Sequence, residues 1–322
     1  MEIIDNGENM NQTDIIIKVL PMLVTIALGY ILTKKGFLTG GMISGFKKIV
    51  VNVILPAGLF AAFVKIRFQT TYLIIILCVF ASCIVLFYIA KLIAKLFSIK
   101  SKYFPFLLTG FEAGMMGYAL FTSVFGADAA ADFGVVDIGQ VTFVFLIFVP
   151  MLINIDKEKG ESSIKTSLLT AVKSPVIWAI VLGTAGSLAG LWAYEGTQVF
   201  TALDGLFSFM SAATAFLISL VIGSGLKLSL KGLKMEIITA VLKVVIWLAI
   251  AFALVQLILR PLGTADRIQT ALYALCCLPA PFVIPVFMKN PKEEDLSFVS
   301  NTLSIGSIIG VICFTLLVII GV

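Results

Sequence analysis

Glu112 has the strongest claim to chemistry of any residue in this chain. It stands in an otherwise apolar run, in the stretch Phe111-Glu112-Ala113-Gly114-Met115-Met116-Gly117-Tyr118. Counted from position 104, where the run starts, it lies on the order of 13 Å deep at about 1.5 Å per residue. A carboxylate at that depth costs roughly 2.5–3.5 kcal/mol on insertion scales, so it faces a cavity or a partner. Two roles are open to it. It could bind and release a proton as the site changes exposure, or it could cap backbone N–H groups freed by a helix break, or pair with a lysine.

A second stretch answers the first. Cys276-Cys277-Leu278-Pro279-Ala280-Pro281-Phe282-Val283-Ile284-Pro285 carries three prolines inside another apolar run. Each proline removes an N–H and clashes with the carbonyl four residues earlier, so no continuous helix passes through them. Gly114 and Gly117 allow the first stretch to leave helical geometry as well. Groups unpaired by a broken helix are expensive in a bilayer unless protein or water meets them. Two breaks at matching places predict a binding site built from the broken ends near the midplane. The candidate substrate contacts are Glu112, Ala113, Gly114, Met115, Met116, Gly117 and Tyr118 from one stretch and Leu278, Pro279, Ala280 and Pro281 from the other. Helix N-termini at such a site present N–H groups and a positive dipole end, which favours an organic anion.

These stretches need a scaffold of helices, and composition supplies it. The chain has 322 residues, 60% of them hydrophobic and 13% charged. Soluble domains carry about 45–50% apolar and roughly 25% charged residues. Apolar runs near 14–33, 42–64, 72–96, 104–125, 134–155, 170–192, 199–223, 235–259, 268–288 and 296–320 give about ten helical spans by the twenty-residue criterion. The expected fold is an all-α polytopic membrane protein.

The net charge of +5 resides in short loops and does not point to nucleic acid. Basic clusters (Lys34, Lys35, Lys47, Lys48; Lys91, Lys95, Lys100, Lys102; Lys157, Lys159, Lys165; Lys227, Lys231, Lys234; Lys289, Lys292) alternate with acidic or sparse loops (Asp128, Asp132; Glu195; Arg260, Asp266, Arg267). Lys65 and Arg67 are a mild exception. The positive-inside rule then puts both termini outside the cytoplasm of a multi-pass plasma-membrane protein. The polar break at 156–167 divides the spans into five and five. Five is odd, so the second half enters with opposite polarity, as an inverted repeat. The expected organisation is a disordered extracytoplasmic tail at 1–12, a first five-helix repeat at 13–156, a cytoplasmic linker at 157–169 and a second repeat at 170–322.

Other polar residues within spans are weaker candidates. Asn52, Gln140 and Asn301 could coordinate substrate, although such residues also bond helix to helix. Lys243 is expected to snorkel to the membrane surface, with a bolder role as countercharge to Glu112 or to substrate. Gly306 and Gly310 form a packing spacing. Asp137 and Asp204 lie near the outer ends of their spans. With no histidine, no paired intramembrane aspartates, and Cys276 and Cys277 adjacent rather than spaced for metal, neither an enzyme nor a cofactor or metal is expected.

The motifs Leu28-Gly29-Tyr30, Lys34-Lys35-Gly36, Asn52-Val53-Ile54-Leu55-Pro56-Ala57, the 112–118 stretch and 278–285 together resemble the auxin efflux carrier family, which includes plant PIN-type carriers and bacterial malate permeases. The resemblance implies a fold similar to bile-acid sodium symporters. It implies a scaffold domain of spans 1, 2, 6 and 7, and a transport domain of spans 3–5 and 8–10 that shifts like an elevator. Spans 4 and 9 would cross as broken helices. Plant members carry an asparagine-containing crossover where this chain has Glu112-Ala113-Gly114, a departure that speaks against an auxin-like substrate and leaves the coupling ion open, with a proton carried by Glu112 as one candidate. The expected function is secondary transport of small organic anions, with the bilayer and a second copy, docked through the scaffold, as further partners. A carrier of cationic or neutral solutes and a channel are the alternatives.

Overall fold

The computed structural model describes residues 4–5, 8–9, 12–65, 69–126, 129–153, 155, 175–211, 213–225, 233–288 and 292–321. The linker expected at 157–169 lies outside the described residues. Within the stretch expected to be a structureless tail, β1 (Ile4–Asp5) pairs antiparallel with β2 (Glu8–Asn9). Everything else described is helix and short connection.

Helix α1 is Gln12–Lys34. Helix α2 runs over 40–64, from Gly40–Ile49 through a wider turn at Val50–Ile54 into Leu55–Val64. Helix α3 is Thr70–Leu96. The fourth apolar run is split into α4 (Phe104–Leu108) and α5 (Tyr118–Phe125), the latter entered through a wide turn at Ala113–Gly117. Helix α6 spans 130–153, with Ala130–Phe143 continuing through Val144–Phe148 into Val149–Ile153. Then come α7 (Pro175–Leu188), α8 (Gln198–Ser211), α9 (Thr214–Gly225) and α10 (Lys234–Leu254, extended by a turn at Val255–Leu259). The ninth apolar run is again split, into α11 (Asp266–Cys277) and α12 (Ile284–Phe287), and α13 (Glu293–Ile320) follows.

Among the described residues four helices are long and apolar enough to cross a membrane unaided: Thr70–Leu96, Ala130–Leu152, Lys234–Leu259 and Glu293–Ile320, of 27, 23, 26 and 28 residues. This is an all-α membrane protein. Many large apolar side chains on these helices point outward, Leu96, Leu257 and Ile320 each being at least 70% exposed, as a lipid-facing surface requires.

The closest pairings are α1 with α9, α2 with α7 and α8, α3 with α6, and α10 with α13. Small residues allow the first: a Cβ on Gly223 would sit 1.9 Å from the Ile26 carbonyl oxygen, so only glycine permits this approach. Lipid tails are as apolar as leucine, so such backbone proximity, rather than a hydrophobic drive, holds membrane helices together. The interior of α3, α4 and α6 is filled by edge-to-face rings, with Phe106 5.1 Å from Phe87 and 5.0 Å from Phe148. Such pairs add about 0.5–1.5 kcal/mol each beyond their buried area.

Candidate functional site

The two split helices meet at their breaks. The first break opens at Thr109–Glu112 rather than at the glycines singled out from sequence. Gly110 has φ +67°, in the left-handed region, and a Cβ there would lie 2.9 Å from Pro281 Cγ. Glycine is required on both counts. Gly117, by contrast, has helical φ −61° and ψ −53°, so it leaves no helix. Its missing side chain admits Leu278 and Phe133, whose carbons would each stand 2.6 Å from a Cβ.

The groups freed at this break are met by side chains borrowed from elsewhere. Trp247 Nε1 on α10 donates to the Leu108 carbonyl at 2.8 Å, and Lys243 Nζ, one turn earlier, donates to the Gly110 carbonyl at 2.7 Å. The ammonium also lies 4.3 Å from the Phe111 ring centroid. A cation at the C-terminal end of α4 complements the negative end of its dipole. The expectation that Lys243 snorkels is therefore overturned. Its side chain is 2% exposed and is held inward by a carbonyl that has no helical partner. On the donor side, the Phe111 N–H donates to Gln140 Oε1 at 3.2 Å.

Two further bonds join one break to the other. The Glu112 N–H donates to the Pro279 carbonyl at 2.9 Å, and the Phe282 N–H donates to Glu112 Oε2 at 2.5 Å. Glu112 thus grips the second break with both its backbone and its carboxylate. At the second break the chain leaves helix at Leu278, with ψ 151°, and resumes at Ile284, whose N–H donates to the Pro281 carbonyl at 3.2 Å. Pro279, Pro281 and Pro285 have no N–H to satisfy. The Gly306 and Gly310 spacing on α13 serves packing, as read from sequence: Cβ atoms there would meet Pro279 Cβ at 3.2 Å and the Cys277 carbonyl oxygen at 2.8 Å.

Of the residues singled out from sequence, the structure gathers Glu112, Ala113, Met116, Gly117, Tyr118, Leu278, Pro279, Ala280 and Pro281 into one buried junction, with Gly114, Phe282 and Val283 partly exposed at its rim. The Met115 side chain is outside the described set. Gln140 joins the junction. Asn52 and Asn301 do not: Asn52 Nδ2 donates to the Lys48 carbonyl at 2.8 Å and Asn301 Nδ2 to Ser297 Oγ at 3.2 Å, both within their own helices. The turn that carries Asn52 nonetheless packs against Ala113–Gly117.

Asp137 was placed near an outer end by its sequence position, and this too is corrected. Its helix begins at Ala130, a turn earlier than the apolar run suggests, and its carboxylate is 2% exposed. It accepts from Tyr118 Oη at 3.0 Å and from Gln140 Nε2 at 2.6 Å. This fixes the Gln140 amide with its oxygen toward Phe111. The i, i+3 spacing of Asp137 and Gln140 on one helix was visible in the sequence. The partner Tyr118, far along the chain, was not.

Among the described residues no group of three or more His, Cys, Asp or Glu side chains is placed to hold a metal ion. No protein-family model matches this chain, and no curated protein matches it in sequence.

Proposed function

We propose that this protein is a secondary transporter of small organic anions, of mono- or dicarboxylate type, working by alternating access around the junction of the two breaks. The observation that carries this reading is the pair of bonds by which Glu112 joins the breaks, Glu112 N–H to Pro279 O and Phe282 N–H to Glu112 Oε2. Broken helices inside a membrane protein are tolerated where protein meets the freed groups or where they line a cavity, and paired breaks of this kind mark binding sites in transporters. The N-terminal end of the helical turn Ala113–Gly117, which leads into α5, faces this junction, and Lys243 Nζ lies next to it on the Gly110 carbonyl. Both features favour an anion. The rim at Gly114, Phe282 and Val283 is where a substrate would enter.

The ten-span inverted repeat is part of the proposal, and two patterns support it. The pairing of α1 with α9 and of α2 with α7 is one contact seen twice, with the halves exchanged; α3 with α6 and α10 with α13 repeat in the same way. Contacts near the membrane boundary also join loops assigned to one side. Lys65 pairs with Asp204 at 2.7 Å and Arg267 with Asp132 on one side, and Ser101 Oγ donates to Asp295 at 2.8 Å on the other. With termini outside, α1, α2 and α7–α9 would form the scaffold and the remaining helices the moving body, an arrangement like that of auxin efflux carriers.

Proton coupling through Glu112 completes the reading. The test is uptake of labelled malate and related organic acids into proteoliposomes, with and without an imposed pH gradient. Saturable uptake accelerated by the gradient is the expected result. Uptake of cations or neutral solutes instead, or currents far above carrier turnover, would replace it with one of the alternatives.

A further inference from the structure

A second site lies away from the junction, where α3 ends. Lys91 and Lys95 are four residues apart on α3 and so share a face. The helix closes with the Ile99 N–H donating to the Ala94 carbonyl at 2.9 Å, and Ser98 takes φ +50°, in the left-handed region. That reversal folds Lys100 and Lys102 back beside the first two lysines. Together the four ring a cleft of about 720 Å³ whose wall is apolar, formed by Pro105, Phe106, Pro150, Met151 and Ile155 among others. No acid lines this cleft among the described residues.

Lysines at a helix end also complement the dipole and set orientation. Neither role calls for an apolar chamber behind them. The cleft opens beside the outward face of α3, where Tyr88, Leu92 and Leu96 are 58%, 55% and 70% exposed in a surface fit for lipid tails. A cationic rim, an apolar wall and a lipid-facing approach match a molecule with a phosphate at one end and hydrocarbon at the other. We infer that this cleft binds the headgroup of an anionic phospholipid from the surrounding bilayer, its phosphate among Lys91, Lys95 and Lys100 and its acyl chains along α3.

The experiment uses the purified full-length protein in neutral detergent and follows its melting temperature during titration with phosphatidylglycerol, phosphatidylcholine or glycerol 3-phosphate. The proteins compared are wild type, the double variant Lys95→Gln/Lys100→Gln and the charge-matched control Lys34→Gln/Lys48→Gln. Phosphatidylglycerol should raise the melting temperature of wild type and control alike. In Lys95→Gln/Lys100→Gln its half-saturating concentration should rise roughly 30-fold, about fivefold for each lysine near an anionic headgroup. Native mass spectrometry should show retained phosphatidylglycerol on wild type and loss of it from that variant. An equal response in both double variants would reduce the effect to overall charge. An equal shift from phosphatidylcholine would assign it to the apolar wall, and an equal shift from glycerol 3-phosphate would make the occupant a soluble phosphate compound. Each of these results overturns the inference.

Discussion

The two breaks solve one problem in opposite ways. At the first, between α4 and α5, the freed groups remain and are met from outside: Lys243 and Trp247 reach in from α10, Gln140 from α6 and Pro279 from the other break. At the second, between α11 and α12, prolines at 279 and 281, and again just inside α12, remove donors and leave the N–H groups of Leu278, Ala280, Phe282 and Val283. Of these, the Leu278 N–H goes back to the Leu275 carbonyl and the Phe282 N–H goes to Glu112. Four distant residues serve the first break; the second is served by one, Glu112, and by the donors its own prolines omit. The first should therefore be sensitive to substitutions scattered through the sequence, the second mainly to substitutions within it.

The sharpest way to break the comparison is Gly110→Ala. It forces a β-carbon into left-handed backbone and against Pro281. We expect a loss of roughly 3 kcal/mol or more, combining the backbone penalty with overpacking, read as a large drop in melting temperature in detergent or as failure to accumulate. A control with the same change at Gly36, also at positive φ but with nothing within 4 Å of a Cβ, should show the backbone part alone.

Next in size is Lys243→Met, which keeps the bulk and leaves the Gly110 carbonyl without its donor. A buried acceptor stripped of its partner costs about 1–3 kcal/mol, and the melting temperature should fall accordingly. If Lys243→Met were as stable as wild type, the lysine would not be serving the break. The corresponding test at the second break is Pro279→Ala. It adds an N–H that has no prepared acceptor, again at about 1–3 kcal/mol, and Pro281 still prevents helix from continuing. We expect its cost to be of the same order as that of Lys243→Met, because Pro279 and Gly110 are both buried.

How much of this was readable from the chain alone follows the same division. The second break announces itself, since three prolines within seven residues exclude a helix whatever surrounds them. That an acid stood in the other span, and that Gly306 and Gly310 serve packing, was also readable; that they pack against the second break was not. The position of the first break was not. Its glycine is Gly110, which looks in sequence like any other glycine, and the carbonyls freed around it are met by Lys243 and Trp247, more than 130 residues away. The snorkelling assigned to Lys243 failed for the same reason: hydropathy shows how deep a lysine lies but not that a carbonyl waits for it. Asp137 was misplaced because the apolar run understates the helix, whose first turn carries Asp132.

The smallest expected change in stability, and the most informative for mechanism, comes from Glu112→Gln. Glutamine keeps an oxygen that can accept from the Phe282 N–H and leaves the backbone bond to Pro279 untouched, so the melting temperature should move by less than about 1 kcal/mol would require. Glu112→Ala removes the acceptor and should cost more, which separates the bridging role from the charge. If the carboxylate merely caps a broken helix, Glu112→Gln should transport as wild type does and keep its pH dependence. If the proton on Glu112 is what loosens its grip on the second break and so reshapes the site, then uptake by Glu112→Gln should lose its response to an imposed pH gradient while the variant still binds substrate. Substrate-induced stabilisation, measured alongside uptake, distinguishes a coupling defect from a lost site.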